Sequence, residues 1–83
     1  MNPPHQYIRL AEWHWRTCLP RRVAELERTG QLKAKLQEAA ERTVTDTEAL
    51  RQHFLQQGLN PNQAQHRAWE IVRERYLFLP PEE

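Results

Sequence analysis

Residues 54–63 read FLQQGLNPNQ, and this stretch decides how the two halves of the chain meet. Gly58 can adopt the left-handed backbone conformation that commonly ends a helix. Asn60 is a preferred N-cap residue, Pro61 suits the first helical position, and Gln63 occupies the third. The stretch therefore predicts two helices joined by a short turn, packed as an antiparallel or steeply crossed pair.

The residues before this turn predict the longest helix of the chain. Between residues 31 and 57, apolar and small side chains recur every three or four positions, the spacing of one helix face. Thr45 followed by Glu48 fits a capping box that would start a new helix inside this segment. The sequence is consistent with one long helix and with a break near residues 44–46. The members of the recurring face are Leu32, Leu36, Ala40, Thr43, Thr47, Leu50 and Phe54.

Proline and glycine divide the first third of the chain. A helical apolar face follows Pro4 and extends to Leu19, and Pro20 then ends or kinks the helix because it donates no main-chain hydrogen bond. A second helix is predicted from about Arg21 to Thr29, with Gly30 at the position of a C-cap glycine. This second segment is either a short helix of its own or a continuation of the first around the kink.

The last helix is predicted from Pro61 to about Tyr76, and the chain then changes character. Residues 76–79 are four large apolar residues followed by two prolines. Such a run does not continue an amphipathic helix, so we expect residues 77–81 to be extended and to lie across the other helices. The predicted fold class for residues 1–83 is all-α: a single domain, a compact bundle of three to five helices with an extended C-terminal segment docked on it.

The composition favours a folded chain with an uneven distribution of charge. Three tryptophans, two tyrosines and two phenylalanines among 83 residues supply large side chains for a core or an interface. Residues 1–35 hold seven Lys/Arg against three Glu, whereas residues 36–83 hold five Arg against eight Asp/Glu. This asymmetry suits self-association or docking onto an acidic partner. With one cysteine, no signal-peptide pattern and no apolar run of the ~20 residues that a membrane span needs, we expect a cytoplasmic protein.

His14 and Cys18 come closest to a catalytic or metal-binding pattern. They are four residues apart on a predicted helix, which suits two metal ligands or a nucleophile with its base. The other histidines are scattered singly, and two glycines offer little backbone for an oxyanion hole. We therefore expect His14 and Cys18 to pack in the core, and we expect no metal, no cofactor and no enzymatic activity.

Trp13 and Trp15 cannot lie on the same face of a helix. Successive helical positions turn by about 100°, so the two indoles point about 200° apart. We assign Trp15 to the core and Trp13 to the surface, where it serves as an interface residue or covers a neighbouring helix. An exposed tryptophan among arginines is typical of a binding hot spot for a larger protein or a second copy of the chain. The candidate protein-binding residues are Trp13, Arg16, Arg21, Arg22 and Arg28.

Nucleic-acid binding is the alternative function. Basic residues of the first 35 positions can contact phosphates, and residues 50–73 have the layout of a degenerate helix-turn-helix with Gly58 in the turn. Phe54 is large for a close helix crossing and the surrounding half of the chain is acidic, which both argue against a DNA-reading role for that segment. The candidate nucleic-acid-binding residues are Arg16, Arg21, Arg22, Lys33, Lys35 and Arg67.

The closing segment also carries a recognisable pattern. Residues 68–80 read AWEIVRERYLFLP, and they follow an early His14-Trp15 pair and a Leu19-Pro20 pair. In these features the chain resembles short uncharacterised bacterial proteins, some of them carried by phages or other mobile DNA. The resemblance implies no activity and no site residue. It implies a small protein that binds and modulates a larger host machine.

Overall fold

A computed structural model describes residues 5–82, and this part of the chain is built from helices. The elements are α1 (His5–Cys18), α2 (Pro20–Arg28), α3 (Leu32–Gln56) and α4 (Pro61–Tyr76). No strand occurs in the described residues, and the predicted all-α class is confirmed. Pro3 and Pro4, expected to open the first helix, lie outside the described residues. None of the four helices combines the length and the apolar character that crossing a membrane requires.

A single residue, Leu19, separates α1 from α2. Its φ of −129° and ψ of 53° lie outside the helical region, because a following proline disfavours helical backbone at the preceding position. The Leu19 side chain is buried, and its carbonyl accepts a hydrogen bond from the N–H of Val23 at 3.0 Å, which begins α2. Of the two arrangements that the sequence allowed, the structure shows a short separate helix.

The connection from α2 to α3 is a Schellman motif centred on Gly30. Gly30 has a φ of 71°, and its N–H donates to the carbonyl of Glu27 at 3.1 Å. The next N–H, of Gln31, reaches back to the carbonyl of Leu26 at 2.7 Å. Both bonds satisfy carbonyls that the end of α2 leaves without helical partners. The C-cap predicted at Gly30 is confirmed.

α3 is continuous over 25 residues, so the break considered near residues 44–46 does not occur. The two threonines that lower the helix propensity of this segment, Thr43 and Thr47, are buried. The Thr43 hydroxyl donates to the carbonyl of Ala39 at 2.8 Å, inside the same helix. Tertiary burial of the threonine face outweighs the local preference for a new helix start at Thr45.

α3 and α4 form an antiparallel hairpin closed by the turn at residues 57–60. Gly58 has a φ of 99°, and the N–H of Leu59 donates to the carbonyl of Phe54 at 3.1 Å. Asn60 and Gln63 form a reciprocal capping box at the start of α4. Tyr76, at the far end of α4, still donates a hydrogen bond to Asp46 of α3, which distinguishes this pair from the steeply crossed helices of the helix-turn-helix considered at residues 50–73.

Small side chains allow the two long helices to approach closely. The facing stripes are buried and contain mostly alanine and threonine, which leave room for close backbone approach. A second part of the core gathers around Trp15 and joins α1, α2 and the first turns of α3. The buried residues of the α3–α4 stripes are Ala40, Thr43, Thr47, Ala64, Ala68 and Val72.

The segment after α4 docks on the bundle, as the sequence predicts, but residues 77–78 form a turn with helical backbone at Leu77 and are not extended as expected. Leu77 is fully buried, and its carbonyl accepts a hydrogen bond from the indole Nε1–H of Trp15 at 3.1 Å. The carbonyl of Leu79 lies 2.7 Å from Nε2 of His14. Further along, the N–H of Glu82 donates to the carbonyl of Cys18 at 2.9 Å. Residues 77–82 are therefore hydrogen-bonded to the C-terminal half of α1.

Candidate binding surfaces

The two tryptophans of α1 occupy opposite environments. Trp15 is 4% exposed and lies in the core, whereas Trp13 is 66% exposed on the outer side of the helix. The assignment made from helical geometry is confirmed. Leu10, one turn before Trp13, is also exposed at 36%. We call Leu10, Trp13 and Arg16 the outer face of α1, because their spacing of three residues places them along one side of the helix.

A groove between α1 and α4 begins beside this outer face. Its volume is about 950 Å³, and Leu10 belongs to both the groove and the outer face. The apolar wall is formed by Leu10, Tyr7 and Trp69, and the last two rings stack with centroids 5.2 Å apart. The rest of the lining is polar or basic, and it consists of Gln6, Arg9, Asn62, Gln65 and His66.

Arg16 is held by carboxylates and does not stand as a free cation. Its guanidinium donates two hydrogen bonds to Glu12, at 3.1 and 3.0 Å, and lies 3.6 Å from Glu27 of α2. The hydrogen bond to Glu12 is the main reason that the pKa of Arg16 is raised above its ordinary value. Arg16 therefore contributes a neutralised, hydrogen-bonded rim to the outer face of α1.

The arginines of α2 point in two directions. Arg21 and Arg28 are seven residues apart on one exposed side of the helix, and Arg28 is paired with Glu25. The Arg22 side chain lies on another side, at a pocket between α2, α3 and α4. The structure thus separates Arg22 from Arg21 and Arg28, which the sequence grouped into one basic face.

The pocket at Arg22 gathers four basic side chains from three helices. Lys35 and Arg42 of α3 and Arg75 of α4 line it together with Arg22, and its volume is about 330 Å³. We call this site the basic pocket. Glu38 is the one acidic residue in its lining. Arg42 and Arg75 were not among the candidates from sequence, because only the packing of α2 and α4 against α3 brings the three arginines together.

The remaining nucleic-acid candidates lie elsewhere. Lys33 lines a groove between α1 and α3 that also contains Glu12 and Glu41. Arg67 lies beside Glu70 on the surface of α4. The six candidate residues are therefore distributed over several surfaces and do not form one continuous phosphate-binding track.

His14 and Cys18 contact each other on α1, and both are partly buried at the edge of the core, not inside it as expected. The Cys18 sulfur lies 3.9 Å from Nδ1 of His14, whose Nε2 lies against the carbonyl of Leu79. The His14 ring also packs against Phe78, with centroids 5.3 Å apart. Within residues 5–82 no group of three His, Cys, Asp or Glu side chains is arranged to hold a metal ion. The contacts of His14 tie α1 to the C-terminal segment.

Comparisons with protein-family models, with curated proteins and with solved structures gave no match for this chain.

Proposed function

We propose that this chain is a non-enzymatic interaction protein whose outer face of α1 binds a larger protein partner or a second copy of itself. The observation that carries the proposal is the exposure of Trp13, at 66%, beside a core tryptophan that is 4% exposed. The resemblance to short uncharacterised bacterial proteins, some of them carried by phages or other mobile DNA, supports binding and modulation of a larger host machine. As part of the proposal we place the chain in the cytoplasm, since it has one cysteine.

Trp13 contributes little to the packing of the fold and is accessible to a partner. At this exposure the indole covers little of any neighbouring helix, which favours the role of an interface residue over that of covering a helix. Burying a tryptophan removes a large apolar area from water, and tryptophan is among the most frequent hot-spot residues of protein interfaces. A partner that covers Trp13 would therefore gain much of its binding energy from this one side chain.

The surroundings of Trp13 resemble those of an interface anchor. Leu10 continues the apolar surface into the groove between α1 and α4, where a partner side chain can enter beside Tyr7 and Trp69. Arg16, bound to Glu12, provides a polar edge on the other side. An apolar centre with a hydrogen-bonded polar rim is the usual arrangement at protein interfaces.

The proposal is tested by comparing the Trp13→Ala and Val44→Ala variants. Val44 is a suitable control because it is also an exposed apolar residue, at 45%, on the different helix α3. Sedimentation equilibrium detects self-association, and affinity capture from the native cells followed by mass spectrometry detects a larger partner. We expect Trp13→Ala to abolish the association that the wild-type chain and Val44→Ala both show. If Trp13→Ala still associated as the wild-type chain does, the proposal would be contradicted.

Nucleic-acid binding is a second candidate, and it is supported by the clustering of Arg22 and Lys35 with two further arginines at the basic pocket. Binding driven by phosphate contacts weakens steeply with salt. A salt titration with random duplex and single-stranded DNA therefore tests it. Absence of binding at low salt would eliminate this candidate and leave the protein-binding proposal unaffected.

A further inference from the structure

We propose that the basic pocket is a binding site for a phosphate monoester, independent of the protein-binding role of Trp13. The pocket lies where α2, α3 and α4 meet. Its basic side chains come from positions that are far apart in sequence, Arg22, Lys35, Arg42 and Arg75, and all four are accessible to solvent. Guanidinium and ammonium groups that converge on one recess are the usual receptors for phosphate oxygens.

The charge of the pocket suits a dianion. Glu38 lies 3.7 Å from Arg42, and Asp46 lies 3.7 Å from Arg75, so two carboxylates stand against four basic side chains. Both distances are long for ion pairs, which leaves guanidinium N–H groups free to turn toward a ligand. Counted over these four basic side chains and their two ion-pair partners, the excess is two positive charges. A phosphate monoester carries about −1.5 to −2 charges at neutral pH, which matches this excess.

Glu82 lies near Arg22 in space but forms no ion pair with a basic side chain of the pocket among the described residues. Its carboxylate accepts hydrogen bonds from main-chain N–H groups at the start of α2, at 3.0 Å from that of Arg22 and 3.4 Å from that of Arg21. The negative charge of Glu82 is therefore directed at the N-terminal end of the helix, which attracts anions. The guanidinium of Arg22 forms no ion pair with another residue of the described range 5–82 and is available to a ligand.

The inner surface of the pocket suits the organic group to which the phosphate is attached. Trp15, Ala39 and Leu79 contribute to the lining beneath the charged rim, and Trp15 and Ala39 belong to the core. A volume of about 330 Å³ lies within the range in which small ligands bind. The arrangement therefore fits a terminal phosphate on a small apolar or planar group better than a continuous nucleic-acid backbone, whose internal phosphates are diesters with one charge each.

Small phosphates test the proposal directly. We would follow the indole N–H signal of Trp15 by NMR, identified by elimination with Trp13→Phe and Trp69→Phe, because Trp15 lines the pocket. Methyl phosphate should shift this signal at millimolar concentration, and phenyl phosphate should bind more tightly through the apolar lining. Dimethyl phosphate, with one negative charge, should bind at least about tenfold more weakly than methyl phosphate. Equal binding of the two methyl esters would overturn the dianion site.

Charge-matched variants separate the pocket from general electrostatic attraction. Arg42→Gln and Lys35→Gln should each weaken methyl phosphate binding at least about fivefold, because they remove donors at the pocket. Arg28→Gln and Lys33→Gln remove the same charge outside the pocket lining and should change binding by less than about twofold, because solvent screens distant charges. All four side chains are exposed, so the fold should persist, and circular dichroism verifies it. Equal effects of both pairs would overturn the proposal.

A phosphoserine peptide distinguishes the two sources of such a group. Tighter binding of the peptide than of phenyl phosphate would identify the ligand as a modified side chain of a protein. Tighter binding of phenyl phosphate would identify it as a free small molecule. Failure of all these probes to shift the Trp15 signal would overturn the site and leave the outer face of α1 untouched, since Trp13 and Trp15 point about 200° apart on the helix.

Discussion

The side-chain carboxylate of Glu82 accepts a hydrogen bond from the main-chain N–H of Arg22 at 3.0 Å, across 60 residues of sequence. The same carboxylate lies 3.4 Å from the N–H of Arg21. Leu19, which precedes α2, offers no side-chain acceptor for these groups. Glu82 therefore serves as the N-cap of a helix that begins far away along the chain, and it fastens the C-terminal segment to the junction of α1 and α2.

Replacing Glu82 should destabilise the protein through the loss of this cap. We expect Glu82→Ala to lower the free energy of unfolding by about 1 kcal/mol, the usual cost of removing an N-cap acceptor. Glu74→Ala is the control, because Glu74 is an exposed glutamate of α4. Urea unfolding of both variants measures the difference, and equal stabilities would show that the capping bond contributes nothing.

The hydrogen bond between Trp15 and Leu77 should be the strongest single attachment of the C-terminal segment. Trp15→Phe leaves the buried carbonyl of Leu77 without its donor, and a buried unsatisfied group costs about 1–3 kcal/mol. Trp13→Phe makes the same chemical change at an exposed position and should stay within about 0.5 kcal/mol of wild type. Thermal unfolding compares the two, and a similar change in melting temperature for both would contradict this role of Trp15.

Helix boundaries were largely predictable from sequence because their signals are local. Pro20, Gly30 and Gly58 act through their own backbone preferences, and each marks the predicted boundary. The continuity of α3 at residues 44–46 was left open by the sequence, because the apolar spacing fits one long helix while the threonines and the Thr45–Glu48 pattern also fit a break; the structure shows one helix whose threonine face is buried. The tertiary cap at Glu82 also gave no local signal, since donor and acceptor meet only in the folded chain.

The binding surfaces show the same contrast between features that are local in sequence and features that need the folded chain. The opposite orientation of Trp13 and Trp15 follows from helical geometry alone. The position of the basic pocket does not follow from the sequence, because Arg42 and Arg75 lie in the acidic half of the chain and meet Arg22 only where α2 and α4 pack against α3. The candidates from sequence are basic residues that lie close together along the chain. In the folded chain, basic residues gather where different helices meet.

Two threonines of α3 provide a matched pair for testing the α3–α4 packing. The buried Thr47 hydroxyl has no hydrogen-bond partner among the described residues, whereas the Thr43 hydroxyl donates to Ala39. Thr47→Val should therefore raise the free energy of unfolding by about 1 kcal/mol, because it removes an unsatisfied polar group at nearly constant shape. Thr43→Val should lower it or leave it unchanged. The reverse order in urea unfolding would show that the Thr47 hydroxyl is satisfied.

The Tyr76–Asp46 hydrogen bond should contribute to the pH dependence of the free energy of unfolding. The Tyr76 hydroxyl donates to Oδ2 of Asp46 at 2.6 Å, and this bond raises the pKa of Tyr76 above the ordinary 10.0 because it favours the protonated phenol. The stabilisation is complete below pH 10.0 and is lost as the pH rises through the higher folded-state pKa. Asp46→Asn should lower the pKa of Tyr76. The measurement follows phenolate absorbance against pH in a chain that also carries Tyr7→Phe, so that Tyr76 is the one tyrosine left. An unchanged pKa would contradict the hydrogen bond.

The central claim, that the outer face of α1 is an interface, is tested most directly by photo-crosslinking in living cells. A photoreactive benzoylphenylalanine replaces Trp13 in one variant and Val44 in another, two exposed apolar positions on different helices. We predict a discrete crosslinked product, either a dimer of the chain or a complex with one larger protein, from position 13 and none from position 44. No product from position 13, or the same products from both positions, would contradict the account.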